Sequence, residues 1–183
     1  MGEVAIVKKK KRPIKTICFG LVLLASSTFF IALAAYKDGV NEYWEGDYEK
    51  ALSKLSQEAE DGDAKAHRYL GHLFYNGKGV TKDLEVAFSH YLEAASMGDS
   101  ISQNQVGVIY EEGKGTSQDL EEAHYWYKRS AEGGSSSAQF NLGLFYKHGK
   151  GSVGVDFEKA AKWFERAAIQ NQYKAAVQLA SLF

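Results

Sequence analysis

The sequence predicts an all-α protein: one apolar N-terminal helix long enough to cross a bilayer, then a row of stacked helix pairs. Three observations carry this prediction. Charge is segregated along the chain, an uncharged stretch of 20 residues lies near the N-terminus, and a 36-residue repeat fills the remainder.

The net charge of −1 over 183 residues averages two unlike segments. Residues 1–37 hold Lys8, Lys9, Lys10, Lys11, Arg12, Lys15 and Lys37 against Glu3 alone, a charge of +6. Residues 38–183 hold the remaining bases and 22 acids, a charge of −7. An acidic body has the wrong sign for phosphate, so no nucleic-acid partner is expected. The single cysteine, Cys18, excludes a disulfide scaffold and a cysteine zinc site. One proline against 18 glycines suits helices punctuated by turns.

Residues 1–15 read as a basic cytoplasmic tail and residues 16–35 as a transmembrane signal-anchor helix. The stretch Thr16–Ala35 carries no charge. As a helix it would span roughly 30 Å, the thickness of a hydrocarbon core. The cluster Lys8–Lys15 precedes it, so the positive-inside rule keeps the N-terminus cytoplasmic and sends the body across the membrane. A cleaved signal peptide is the alternative. Ala32-Leu33-Ala34 offers a small-x-small site, and cleavage near Ala34 would secrete the body. The apolar run exceeds most signal-peptide cores, which favours the anchor. Cys18 reads as a small apolar filler, with palmitoylation the alternative.

The body repeats. Gly-Lys-Gly stands at 77–79, 113–115 and 149–151, and a further glycine lies six residues upstream of each, at Gly71, Gly107 and Gly143. Asp47, Asp83 and Asp119 keep the same spacing, and Asp156 follows one residue late, so the third repeat carries an insertion. Ala51, Ala87, Ala123 and Ala160 share a phase, as do Leu55, Tyr91, Tyr127 and Phe164. The divisions are a partial repeat at 36–62, full repeats at 63–98, 99–134 and 135–171, and a truncated repeat or capping helix at 172–183.

Each unit reads as two helices. The first helices are expected at Asp63–Tyr75, Asp99–Glu111 and Ser135–Lys147, the second at Asp83–Ser96, Asp119–Glu132 and Asp156–Ile169. Leu70, Leu73 and Phe74 with Ala87, Tyr91, Ala94 and Ala95 form the apolar stripes. Gly77 and its equivalents suit a left-handed helix end. Asp83, Asp119 and Asp156 suit the N-cap of the second helix. A glycine in mid-helix costs about 1 kcal/mol relative to alanine. Three such penalties in register point to close helix–helix approach. The partial repeat contributes a second helix at Asp47–Gly62, preceded by a first helix at Tyr36–Glu45.

The phased elements closely resemble the Sel-one-like repeat of the tetratricopeptide superfamily. They stand here as Asp63-Ala64-Lys65-Ala66, Leu142-Gly143-Leu144-Phe145-Tyr146-Lys147-His148-Gly149-Lys150-Gly151, Asp119-Leu120-Glu121-Glu122-Ala123 and Trp163-Phe164-Glu165-Arg166-Ala167-Ala168. The resemblance covers roughly residues 40–183. It implies a right-handed α/α solenoid that binds protein partners on its concave face, without catalysis, cofactor, metal or small-molecule substrate. Combined with the anchor, it implies a subunit or assembly factor of an envelope complex, displayed on the outer side of the membrane. A cysteine-rich branch of the family is credited with β-lactamase activity, and a secreted or periplasmic enzyme of that kind is the alternative. The body from residue 36 onward contains no cysteine.

Other chemistry finds little support in spacing. Gly107–Thr116 has glycines one residue too far apart for a phosphate loop and follows a helix. His67, His72, His90, His124 and His148 fall at different phases, and none pairs at i, i+4. Trp126 and Trp163 align with His90 and read as packing residues.

By analogy with tetratricopeptide grooves, the resemblance implies a partner-binding groove lined by Lys65, Arg68, His72 and Tyr75 in the first repeat. The second contributes Ile101, Asn104, Val108 and Glu111, and the third Ser137, Phe140, Leu144 and Lys147. A peptide with one acidic and one apolar patch would suit it. Packing of Phe140 and Leu144 between neighbouring first helices is the alternative. A terminal docking edge is the second candidate: Tyr173, Val177, Leu182 and Phe183, on a last helix for which a cap or a truncated repeat is the alternative. If this edge docks a partner, deleting Gln172–Phe183 abolishes capture of that partner while helical circular dichroism persists. Global unfolding of the deletion would make the segment structural only.

Overall fold

A computed structural model describes residues 38–182. The transmembrane segment expected at 16–35 and the basic tail at 1–15 lie outside the described residues. None of the described helices is long and apolar enough to cross a membrane.

The described residues form helices throughout: α1 (Asp38–Glu45), α2 (Tyr48–Glu60), α3 (Ala64–Asn76), α4 (Leu84–Ser96), α5 (Ser100–Glu112), α6 (Leu120–Glu132), α7 (Ser136–His148), α8 (Phe157–Ile169) and α9 (Tyr173–Ala180). Each packs mainly on its sequence neighbours. This nearest-neighbour order is that of a solenoid. The two helices expected of each full repeat are present among the described residues, with starts set by capping chemistry. Asp63, Asp99 and Ser135 lie just outside their helices as N-caps, and their side chains accept from Lys65, Ser102 and Ala138 N–H. The Asp83 carboxylate accepts from Glu85 and Val86 N–H, both at 3.0 Å, and Asp119 repeats this with Glu121 and Glu122. Asp156 accepts from Lys159 N–H at 2.9 Å.

The two glycines of each Gly-Lys-Gly turn have separate tasks. Gly77, Gly113 and Gly149 end their helices at φ of 67°, 65° and 61°, a left-handed conformation that penalises a Cβ. The second glycine brings backbone against the second helix of the preceding unit. A Cβ on Gly115 would stand 2.2 Å from the Leu84 carbonyl oxygen, and one on Gly79 would stand 2.6 Å from Tyr48 Cβ. The turn thus reverses the chain and seats it on the previous repeat.

The mid-helix glycines mark close helix–helix contacts. Tyr91 lies against Gly71, Tyr127 against Gly107 and Phe164 against Gly143, each ring essentially buried. A Cβ would sit 2.8, 2.7 and 2.5 Å from the respective ring carbons. Around these contacts the core runs along the chain as successive clusters. One joins Ala51, Leu55 and Ala59 to Ala66, Leu70 and Leu73, and the next joins Ala87, Tyr91 and Ala95 to Val106, Ile109 and Trp126.

Gly143→Ala sets these opposing effects against each other. The alanine recovers about 1 kcal/mol of helix propensity, while overpacking a core typically costs about 1–3 kcal/mol. Phe164 is fully buried, so overpacking is expected to win. The expected result is a loss of about 1 kcal/mol in urea unfolding followed by circular dichroism. Partial recovery is expected in Gly143→Ala/Phe164→Leu.

Candidate partner-binding surface

The groove candidates lie on the first helices α3, α5 and α7, and the structure ties most of them to neighbours. Lys65, Ile101 and Ser137 are exposed and in register, one per repeat. One turn further along, Arg68 donates to Asp99 at 2.8 Å, linking α3 to the cap of α5 with both side chains largely covered. Asn141 Nδ2 donates to Asn104 Oδ1 at 3.1 Å, linking α5 to α7. Lys147 donates to Gln178 Oε1 at 2.7 Å and Ser181 Oγ at 2.8 Å, linking α7 to α9. A polar ladder therefore runs from first helix to first helix.

The remaining positions are structural in part. His72 is half-buried among the rings of Tyr43, Tyr69 and Tyr91. Tyr75 meets Tyr91 edge-on, with the Lys82 ammonium over its ring. Glu111 accepts from the Tyr127 hydroxyl at 2.8 Å and pairs with Lys150. Val108 packs beside Tyr127 and Leu142 in the third core cluster. Phe140 and Leu144 pack on the cluster of Ala160, Phe164, Ala167 and Ala175, with Phe140 and Phe164 ring centroids 5.9 Å apart. Both side chains are half-buried, packed on this cluster with part of their surface exposed.

At the C-terminal edge Tyr173 and Val177 are 71% and 63% exposed. Leu182 is half-buried and, with Phe157, Ala161, Glu158, Lys162 and Glu165, lines a cavity of about 370 Å³. Ala175 is the buried residue that seats α9. Phe183 lies outside the described residues.

At the N-terminal end, Tyr43, Trp44, Tyr48 and Tyr69 form an edge-to-face cluster that sequence periodicity did not single out. Trp44 is 72% exposed and donates from Nε1 to the Tyr69 hydroxyl at 3.2 Å. The Lys78 ammonium lies over the Tyr43 and Tyr48 rings. The aromatic content of α1 was the available signal.

The histidines are not all isolated. His67 and His90, 23 positions apart, meet with Nδ1 atoms 3.1 Å apart. His124 Nε2 lies 3.3 Å from the Tyr146 hydroxyl. Among the described residues no group of three or more His, Cys, Asp and Glu gathers as a metal site. Trp126 is nearly buried and donates to Glu122, and Trp163 is half-buried beneath the Arg166 guanidinium. Gly107–Thr116 is helix followed by a turn, as the spacing predicts.

Burial lowers the pKa of His72, His90 and His124 below the ordinary value. Arg68 and Lys78 add to the effect at His72, His67 at His90, and Lys128 at His124. Burial also raises the Tyr91 and Tyr127 hydroxyls, reinforced at Tyr127 by the Glu111 charge.

Comparison with known proteins bears on this geometry. The model of the Sel1 repeat matches residues 64–99, 100–135 and 136–172. A Sel1 repeat protein from Oxalobacter formigenes is 30% identical with a TM-score of 0.73, covering 77% of this chain and 58% of its own. A protective antigen of uropathogenic Escherichia coli with an SLR fold, c5321, is 30% identical with a TM-score of 0.75, covering 81% and 32%. Helicobacter pylori cysteine rich protein B is 25% identical with a TM-score of 0.51, covering 59% and 88%. The chain thus spans 58% and 32% of the length of the first two. No curated protein sequence matches it.

The lowered histidines give the stability a pH dependence. On unfolding they return to an ordinary pKa near 6.5 and bind protons that the folded state resists. Their contribution is complete above that value and falls as pH drops through it toward the folded-state values. The thermal midpoint by circular dichroism is expected to decline between about pH 7 and 5. The decline should be shallower in His72→Gln/His90→Gln/His124→Gln.

Proposed function

The chain belongs to the Sel1 repeat family, and we propose that it is a non-catalytic scaffold displaying its repeats on the outer side of a membrane. Proteins of this family are generally protein-interaction scaffolds. In the proposed arrangement residues 16–35 anchor the chain in the bilayer, the N-terminus is cytoplasmic, and the protein partner belongs to an envelope complex. The uncharged stretch and the lysines before it support the anchor.

The observation that carries the binding assignment is the division of labour between positions. Residues shared by the repeats, such as Ala87, Ala123, Ala160 and the aromatic rings seated on glycine, are buried. One in-register exposed column of the first helices is Lys65, Ile101 and Ser137, a cation, an alkyl chain and a hydroxyl. A uniform scaffold presenting unlike side chains at equivalent points provides specificity without altering the fold.

A photo-reactive amino acid placed at positions 65, 101 and 137 of the full chain in native membranes tests this reading. Exposed second-helix positions Lys128 and Glu165 serve as comparison sites. Adducts to the same partner from the first-helix column only are expected, with the N-terminal peptide still attached. Equal labelling of both faces would overturn the binding face, and recovery of the chain alone beginning at Ala35 would overturn the anchored scaffold.

A further inference from the structure

The first repeat departs from its successors at two positions that meet in space. His67 occupies the phase of Gln103 and Gln139, and His90 that of Trp126 and Trp163. The two glutamines are buried and perform the same structural task. Gln103 Nε2 donates to the Ala95 carbonyl at 3.1 Å and Gln139 Nε2 to the Ala131 carbonyl at 3.2 Å, each securing the end of the preceding second helix. His67 instead turns its Nδ1 toward His90. The scaffold residue is therefore replaced at both positions by an imidazole, and the two imidazoles face one another.

We propose that His67 and His90 form a two-histidine site for a borderline divalent transition metal of the Zn²⁺ or Cu²⁺ class. Imidazole nitrogen is a ligand of choice for these ions. Two nitrogens bound at about 2.05 Å stand about 2.9 Å apart at a right angle and about 3.4 Å apart at the tetrahedral angle. The observed 3.1 Å lies between these limits. The rings are tilted by 41°, and Phe74 stacks on His90 at 5.7 Å and 16°, restricting rotation of that ring. The pair borders a cavity of about 280 Å³ lined also by Ser56, Ala59, Glu60 and Leu70. A liquid water occupies about 30 Å³, so water or an incoming ligand can complete the coordination. Glu60 is the acidic side chain on the same wall. The bound ion would clamp α3 to α4 within the first repeat.

The other repeats supply variants that fit the fold: His67→Gln and His90→Trp install the residues found at these phases downstream. The test uses the full chain in detergent, without a polyhistidine tag, titrated with ZnCl₂ and separately with CuCl₂. Zinc is expected to raise the thermal midpoint at one ion per chain, and copper to show nitrogen hyperfine coupling in its electron paramagnetic resonance spectrum. His67→Gln and His90→Trp should each retain helical circular dichroism and lose both responses, while His124→Gln and His148→Gln keep them. Absence of any zinc response in the unaltered chain, or a response that survives His67→Gln/His90→Trp, overturns the site. In the first case the contact is a hydrogen bond between neutral imidazoles.

Discussion

Each full hairpin of this solenoid closes on an aromatic ring packed against a mid-helix glycine of its partner helix. Tyr91 on Gly71, Tyr127 on Gly107 and Phe164 on Gly143 repeat this contact, and the ring atoms already occupy the space where a Cβ would stand. The rest of the fold follows from it. With the helices held this close, the positions beside the ring must be small, and Ala87, Ala123 and Ala160 fill them without exposure. The glycine sacrifices helix propensity, and burial of a whole aromatic ring offsets that loss.

Polar chemistry then distinguishes one repeat from the next. The lysine in each Gly-Lys-Gly turn illustrates how far equal positions diverge. Lys78 lies over two tyrosine rings, Lys114 pairs with Glu112, and Lys150 pairs with Glu111 while covering Phe145. On the first helices the ladder of Arg68 with Asp99, Asn104 with Asn141 and Lys147 with Gln178 makes each junction chemically distinct. The largely covered Arg68–Asp99 pair also holds a carboxylate that caps α5, so a single residue stabilises both helix start and repeat junction.

The sequence makes the architecture readable because its determinants are local. Asp83 and Asp119 announce helix starts, Gly77 and Gly113 announce helix ends, and the spacing between them leaves room for one helix pair per unit. The groove was less legible. Arg68 finds Asp99 in the next hairpin at 31 positions' distance and His67 finds His90 across its own hairpin at 23, separations set by how helices pack on one another and not by the periodicity of one helix. Phe140 and Leu144 carried an ambiguity that spacing could not resolve, since an apolar residue one turn from a packing glycine can face a neighbour or a groove. In the structure both pack on the Phe164 cluster and stay half-buried. The histidine pair had a signal in the alignment of repeats, where His67 and His90 interrupt columns of glutamine and tryptophan.

The second glycine of each turn carries a consequence for how such a chain changes length. Gly79 packs on Tyr48, Gly115 on Leu84 and Gly151 on Leu120, so each contact reaches back by the same interval. In-phase duplication or deletion of one whole unit leaves every such pair intact, because the new junction reproduces the old one. A gain or loss of any other length in a helix would bring a side chain where the backbone needs a glycine. Recombination between repeats is therefore a tolerated route of variation, and the number of units can drift while the surface residues of each are selected separately.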